Sequence, residues 1–294
     1  MKRAVVLTLL VSVGAVSAVV RAMQAPAQGD QPKVVEVEKL KDNLYMLKGG
    51  GGNTAVFVTT KGVVVVDTKL AGWGQPILDK IKTITDKPVT TIINTHTHGD
   101  HTGSNSFFGS SVDVVAHENT KANMEKMDAF KADPTGLPKK TYKDTLSLFS
   151  GPDRIDLYYF GAGHTNGDAW IVFPELRVMH AGDIFSGRNL PLIDVNNGGS
   201  ASAFPQTLTR AANGIKDVDT IITGHSTTLP FSALQEYASF NEQFLTWARA
   251  QQKAGRSVDD AAAAYTPSAT FQGYTIQPDR VKRNVQIVYD EARR

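Results

Sequence analysis

The stretch "VTTIINTHTHGDHTGSN", Val89 to Asn105, carries the reading on which the fold turns. Its first part is β-branched and apolar, the composition of a buried strand. The pattern stops at Asn94. Three of the chain's seven histidines then follow with an aspartate inside six residues: His96, His98, Asp100 and His101. Residues two apart in extended chain point the same way, so His96 and His98 aim at one point. Asp100 and His101 fall at the turn into a helix and face a neighbouring point. Imidazole nitrogen and carboxylate oxygen are typical zinc ligands, and four such groups this close are hard to satisfy as ordinary core residues.

Further along, the same design recurs. "LYYFGAGH" ends at His164, "RVMHAGD" at Asp183 and "DTIITGH" at His225, each an apolar strand followed by a glycine and a potential ligand. Glycine lets the backbone approach closely, and strand ends on one edge of a sheet are where α/β proteins place their sites. His117 and His180 each follow an apolar run too, and read as packed or ligand-supporting histidines. Asp67, closing "GVVVVD", and Asp168 are candidates to hold ligand imidazoles in the right tautomer, since such rings need a carboxylate or carbonyl on their other nitrogen.

Around these motifs the periodicity alternates. "VVEVEKL", "NLYMLKG", "TAVFVTT" and "GVVVVDT" predict a strand meander. A helix near "GQPILDKIKTIT", a strand "VDVVAH" and one helix over "ENTKANMEKMDAF" come next, with a Pro/Gly/Lys-rich loop at 133–140. Strands resume in "DRIDLYYFG", "AWIVFP", "RVMHAG" and "DTIITG", with a helix near 203–213, and the chain turns mainly helical from about Phe231. Helices between strands imply a layered α/β protein. With no linker dividing it, residues 34–294 read as one catalytic domain.

The N-terminus departs from this. Met1-Lys2-Arg3, the apolar run Ala4 to Val20 and the small and polar residues after it have the order of a secretory signal peptide over 1–22, with a boundary as late as 27. An uncleaved anchor is the competing reading. Removing 1–22 deletes Lys2, Arg3 and Arg21 and no acid, taking the formal charge from +2 to −1, so no basic signal for nucleic acid remains. The chain has no cysteine, which excludes disulfides and thiolate-held zinc.

Taken together, "HTHGDH" at 96–101, "GHTNGD" at 163–168, "AGD" at 181–183 and "GH" at 224–225 resemble the metallo-β-lactamase superfamily of metal-dependent hydrolases over roughly residues 34–230. The resemblance implies an α/β fold, a four-layer αβ/βα sandwich with a metal site along one edge. It implies two zinc ions per chain: His96, His98 and His164 on the first, Asp100, His101 and His225 on the second, and Asp183 bridging them. It also implies a metal-bridging hydroxide that attacks a carbonyl, with Asp100 as the catalytic residue orienting the nucleophile. An aspartate at 183 is similar to the glyoxalase II-like branches, where the familiar β-lactamases usually carry cysteine or serine.

The expected function is therefore an exported, periplasmic or secreted zinc hydrolase of small esters, lactones, thioesters or amides. Hydrolysis of β-lactams is the alternative, and a di-iron redox protein of the same fold a further one. The expected partner is a small-molecule substrate, with neither nucleic acid nor stable membrane insertion after signal removal. "GGGGN" at 49–53 and the run 184–200 are candidate lids over the metals, the first of them mobile. Arg188, on the second, is the expected grip on a substrate carboxylate, in place of the lysine that the cysteine-bearing members carry nearby.

Overall fold

The computed structural model describes residues 33–293, so the expected signal peptide lies outside the described residues. Its first seven strands are β1 (Glu36–Lys41), β2 (Leu44–Lys48), β3 (Thr54–Val58), β4 (Val63–Val66), β5 (Val89–Ile93), β6 (Asp113–His117) and β7 (Lys140–Tyr142). They form one sheet in sequence order, antiparallel through β4 and parallel from β4 to β7. The other six are β8 (Thr145–Leu148), β9 (Ile155–Tyr158), β10 (Trp170–Phe173), β11 (Val178–Gly182), β12 (Thr220–Thr223) and β13 (Leu229–Pro230). These make a second sheet, ordered β13-β12-β11-β10-β9-β8, in which only β11 and β12 pair in parallel.

Helices cover the outer faces. They are α1 (Gly74–Ile84), α2 (Gly99–Thr102), α3 (Glu118–Met124), α4 (Asp128–Ala132), α5 (Phe204–Gly214), α6 (Ser232–Lys253), α7 (Val258–Ala264) and α8 (Pro278–Glu291). Strand alternation sorts side chains into layers. In β4, Val64 and Val66 pack into the core between the sheets, while Val63 and Val65 join Ile77 and Ile81 of α1 on the far side. That two-sided burial explains an uninterrupted valine run. In the second sheet, Val178 and Ile222 face the inter-sheet core, whereas Met179 and Ile221 meet Phe204, Leu208, Leu234 and Val285 from α5, α6 and α8. The result is the four-layer α/β sandwich that the periodicity and the resemblance anticipate.

Some local expectations differ. The single helix expected over 118–130 is two, α3 and α4, parted at Glu125–Met127. The short strands β7, β8 and β13 carry too few residues for a period-2 signal and are absent from the sequence reading. Among the described residues no helix is long and apolar enough to cross a membrane.

Candidate metal centre

The parallel strands β4 and β5, and the strands β9, β11 and β12, deliver their ends to one edge of the sandwich. Beyond β4 the chain kinks twice, with Asp67 and Lys69 both in the left-handed region at φ 63°. Non-glycine residues enter that region at a cost, and such strain collects at functional sites. The kinks turn Asp67 onto His101, with Oδ2 2.7 Å from Nδ1, while Asp67 also accepts Thr95 N and Oγ1. Past β5, His96 and His98 come together in extended chain, ring centroids 4.8 Å apart. Asp100 and His101 lie within α2, which starts at Gly99, before the first ligand-bearing turn is complete.

At the end of β11, Gly182 adopts φ +54°, and a Cβ there would collide with Thr95. Only glycine fits, and this bend swings Asp183 out of the strand toward the histidines. The donor atoms form two groups, His96/His98/His164/Asp183 and Asp100/His101/His225, each with all its atoms within 4.8 Å of one another. Asp183 faces both. Its Oδ1 is 3.3 Å from His101 Nε2 and 3.2 Å from His225 Nε2, and its Oδ2 is 3.8 Å from His164 Nε2. Every residue expected to ligate is thus brought to this edge.

Two observations show that the arrangement suits cations. His96 Nε2 is buried without a hydrogen-bond partner, which a closed core does not tolerate cheaply. In addition, two pairs of ring nitrogens face one another, His98 Nδ1 with His164 Nε2 at 2.9 Å and His101 Nε2 with His225 Nε2 at 3.3 Å. Burial holds His96 well below its ordinary pKa and His164 down at about 4, which favours the neutral form of both rings. Burial alone would raise Asp183, but His101, His225 and His164 outweigh it and hold the carboxyl well below the usual range. His101 is buried too, yet Asp183 and Asp67 push it well above its ordinary value. Hydrogen bonds to Asp100 and Asp183 raise His225 to about 9. Acid-histidine pairing of this kind supplies the charge that a cation would replace.

The far nitrogens of the rings are also held. Thr95 Oγ1 meets His96 Nδ1 at 2.9 Å, Asp67 meets His101, and Leu192 O accepts from His164 Nδ1 at 2.7 Å. Asp194 Oδ2 lies 2.7 Å from His98 Nε2 and is itself fixed by Asn197 Nδ2. Asp194 and Leu192 escaped the sequence reading, which had only local motifs to work from, 96 and 28 residues away from their partners. Asp168 reaches no imidazole. Its carboxylate accepts Thr165 N and Oγ1, tying down the loop that carries His164, and burial raises it to about 7 against those bonds. His180 donates from Nε2 to Asn53 O and accepts Gly182 N at Nδ1, and His117 stacks on Tyr159, so both are packed histidines, as read.

Both expected lids are anchored to the rest of the fold. In 49–53, a Cβ on Gly52 would strike the His101 ring, and Asn53 is bonded to Gly224 O, Thr223 O and Ser226 O. The glycines let this connector pass close beneath the site. The run 184–200 buries Ile184, Phe185, Leu190 and Ile193 in the core of the second half and contributes the two groups that orient His164 and His98. It acts as a strap. Arg188 does stand on the wall of a cavity of about 660 Å³ that opens onto Asp100, Asp183 and His225, though it is exposed and 3.5 Å from Glu236 Oε2.

The sequence model of the metallo-beta-lactamase superfamily matches residues 47–226, the span holding all of these donors. The chain belongs to that superfamily. This metallo-beta-lactamase superfamily member is accordingly a metal-dependent hydrolase. It is 27% identical over 225 residues to a metallo-beta-lactamase type 2 of Elizabethkingia meningoseptica, covering 71% of this chain and 86% of that protein. Its fold is similar to a metallo-beta-lactamase from Pontibacter korlensis, at 19% identity and a TM-score of 0.61 over 71% of this chain and 99% of that one. A sec-alkyl sulfatase variant shares the fold at 14% identity and a TM-score of 0.72, over 88% of this chain and 50% of its own.

Proposed function

We propose that this superfamily member is an exported binuclear zinc hydrolase acting on the carbonyl of a small ester, lactone, thioester or amide. The observation that carries the reading is Asp183, whose two oxygens face different donor groups, so that one carboxylate can serve two cations. His96, His98 and His164 would hold one ion and Asp100, His101 and His225 the other. When bound, the ions would supply Lewis acidity, lowering the pKa of water and polarising a carbonyl oxygen.

The chain's own groups do the rest. Asp100, part-exposed and lining the cavity, would orient the attacking water. Asp67, Asp194 and the Leu192 carbonyl keep three ring tautomers and planes fixed through the reaction, so no reorganisation is needed when charge develops. Arg188 offers a cation to a substrate carboxylate from the cavity wall. No cysteine or serine nucleophile enters. The all-nitrogen-and-oxygen donor set supports zinc and is equally open to iron, so metal identity belongs to the test.

Elemental analysis of protein purified without chelator, with a hydrolysis panel of cephalosporin, lactone, aryl ester, thioester and phosphodiester, decides the matter. The expected result is two zinc ions per chain and turnover of an acyl substrate that falls at least a thousand-fold in His96→Ala, on the order of a lost metal mechanism. One ion per chain, unchanged in Asp183→Ala, removes the binuclear reading; undiminished turnover in His96→Ala removes the metal reading. Hydrolysis of β-lactams is the second reading, favoured by the name of the 27%-identical relative, and the cephalosporin arm tests it. Export rests on the composition of residues 1–22. Release by osmotic shock of a chain whose mass lacks that segment supports it, and a membrane-bound chain retaining Met1 overturns it.

A further inference from the structure

The cavity beside the metal centre is also lined by Gly273, Thr275, Gln277 and Arg280, which lie beyond the span that the superfamily match covers. Its roughly 660 Å³ accommodates more than an acyl group alone. Asp100, Asp183 and His225 line it together with Arg188 and Arg280. The two arginines are not equivalent. Arg188 is exposed and shares its charge with Glu236. Arg280 is half-buried, and among the described residues no carboxylate or carbonyl takes its guanidinium in an ion pair or side-chain hydrogen bond.

Arg280 also breaks local rules. It is the third residue of α8, in the first turn, where the helix dipole disfavours a cation. Burial, and after it the like charge of Arg283 nearly one turn on, pull its guanidinium below the ordinary range, while Asp183 and Tyr237 draw it back only in part. Gln277, which precedes the helix, lines the same cavity and makes no side-chain cap. A guanidinium half out of water with no partner is costly, and an anion is what relieves the cost. Conflicts between a local rule and the fold gather at functional sites.

We infer that Arg280 anchors an oxyanion, a carboxylate or its equivalent, that the substrate carries apart from the bond that is cleaved, with the more exposed Arg188 as the second member of the pair. The inference rests on the hydrolase reading for where that bond lies. A planar guanidinium meets a carboxylate through two parallel hydrogen bonds, which fixes direction as well as distance. With the metal donors and Arg280 lining one cavity, the substrate is an acyl compound that also carries an anion, held by that anion and cut at its ester, thioester or amide.

The test compares mono-4-nitrophenyl glutarate with the same ester methylated on its free carboxylate, for zinc-loaded wild type, Arg280→Gln and Arg280→Lys. Glutarate binding to the same proteins is followed by calorimetry, so the anchor is read without turnover. Thermal melting checks that the variants fold. In Arg280→Gln the ratio of kcat/KM between charged and neutral esters is expected to fall about ten-fold, equivalent to about 1.4 kcal/mol, with the change in KM. Glutarate affinity should fall alongside, and Arg280→Lys should recover part of both. Equal loss on the two esters, or glutarate affinity unchanged in Arg280→Gln, overturns the anchor. Binding of glutarate that depends on Arg280 without cleavage of either ester keeps the anchor and overturns the ester-hydrolase reading.

Discussion

Lys69 is a lysine with no exposed surface, and its ammonium is spent on two backbone carbonyls, Leu47 O at 2.9 Å and Gly52 O at 2.8 Å. Burial pulls its pKa down to about 7, against the opposing attraction of Asp67. An unfolded chain would return it to about 10.5, so between those values the unfolded state holds a proton that the folded state lacks. Raising pH through that window therefore favours the fold, and below about 7 the penalty of the buried charge is in full force. Wild type measured against Lys69→Met by urea unfolding from pH 6.5 to 9.5, a span of roughly three units inside which lysine titration is the difference, should gain stability relative to the variant as pH rises. A flat difference would show that Lys69 keeps its proton in the fold. Nothing in "VVVVDTK" announces this lysine, because its burial comes from a loop and a strand that fold over it. Asp67, two residues earlier, was legible since it closes an apolar strand, as ligand-supporting carboxylates do. Asp168 shared the same sequence logic but serves its own loop, and only the structure separates the two.

Among the elements, the strap over 184–200 departs most from its sequence reading. Glycine, asparagine and aspartate in a long connector suggested a lid, yet its apolar positions are spaced to pack and its polar ones to reach back to the ligands. A loop's composition reports exposure, whereas its anchoring depends on residues far away in the chain. Asp194 is the point where the strap acts on chemistry. In Asp194→Ala the His98 ring loses its fixed partner, and on the binuclear proposal the affinity of the His96/His98/His164 group for its ion should drop about 10- to 100-fold, with binding at the other group retained. Chelator competition resolves the two ions. Unchanged affinity for both would reduce Asp194 to a turn residue that caps Asn196, a bond it also makes. The long, periodic elements were by contrast readable: β4 and β5 by their β-branched runs, α1 and α5 by their one-sided apolar faces.

At the level of the whole molecule, the helices from Ser232 onward close the outer face of the second sheet. Leu234, Tyr237, Phe240, Phe244, Val285 and Val288 pack with Trp170, Met179 and Ile221 in one cluster. Ending the chain after Pro230 would bare that face, a contiguous apolar surface far larger than a soluble monomer carries. We expect residues 33–230 alone to aggregate or to lack a cooperative melt and near-ultraviolet dichroism. A soluble piece that unfolds cooperatively and binds metal would mean that the helices are an accessory. Their helical character was readable from Phe231 onward, but their part in the cavity was not, since no local pattern ties Arg280 to a histidine 55 positions before it.

The distribution of donors along the chain also sets an order of events. His96, His98, Asp100 and His101 follow strands of the first sheet, whereas His164, Asp183 and His225 follow strands of the second, and each donor group draws on both. A nascent chain emerging from its N-terminus thus has neither group complete until the second sheet is largely made, and the Asp100/His101/His225 group only when β12 has been synthesised. Full assembly of either donor group is consequently a late event, one that requires the two halves of the sandwich to have met.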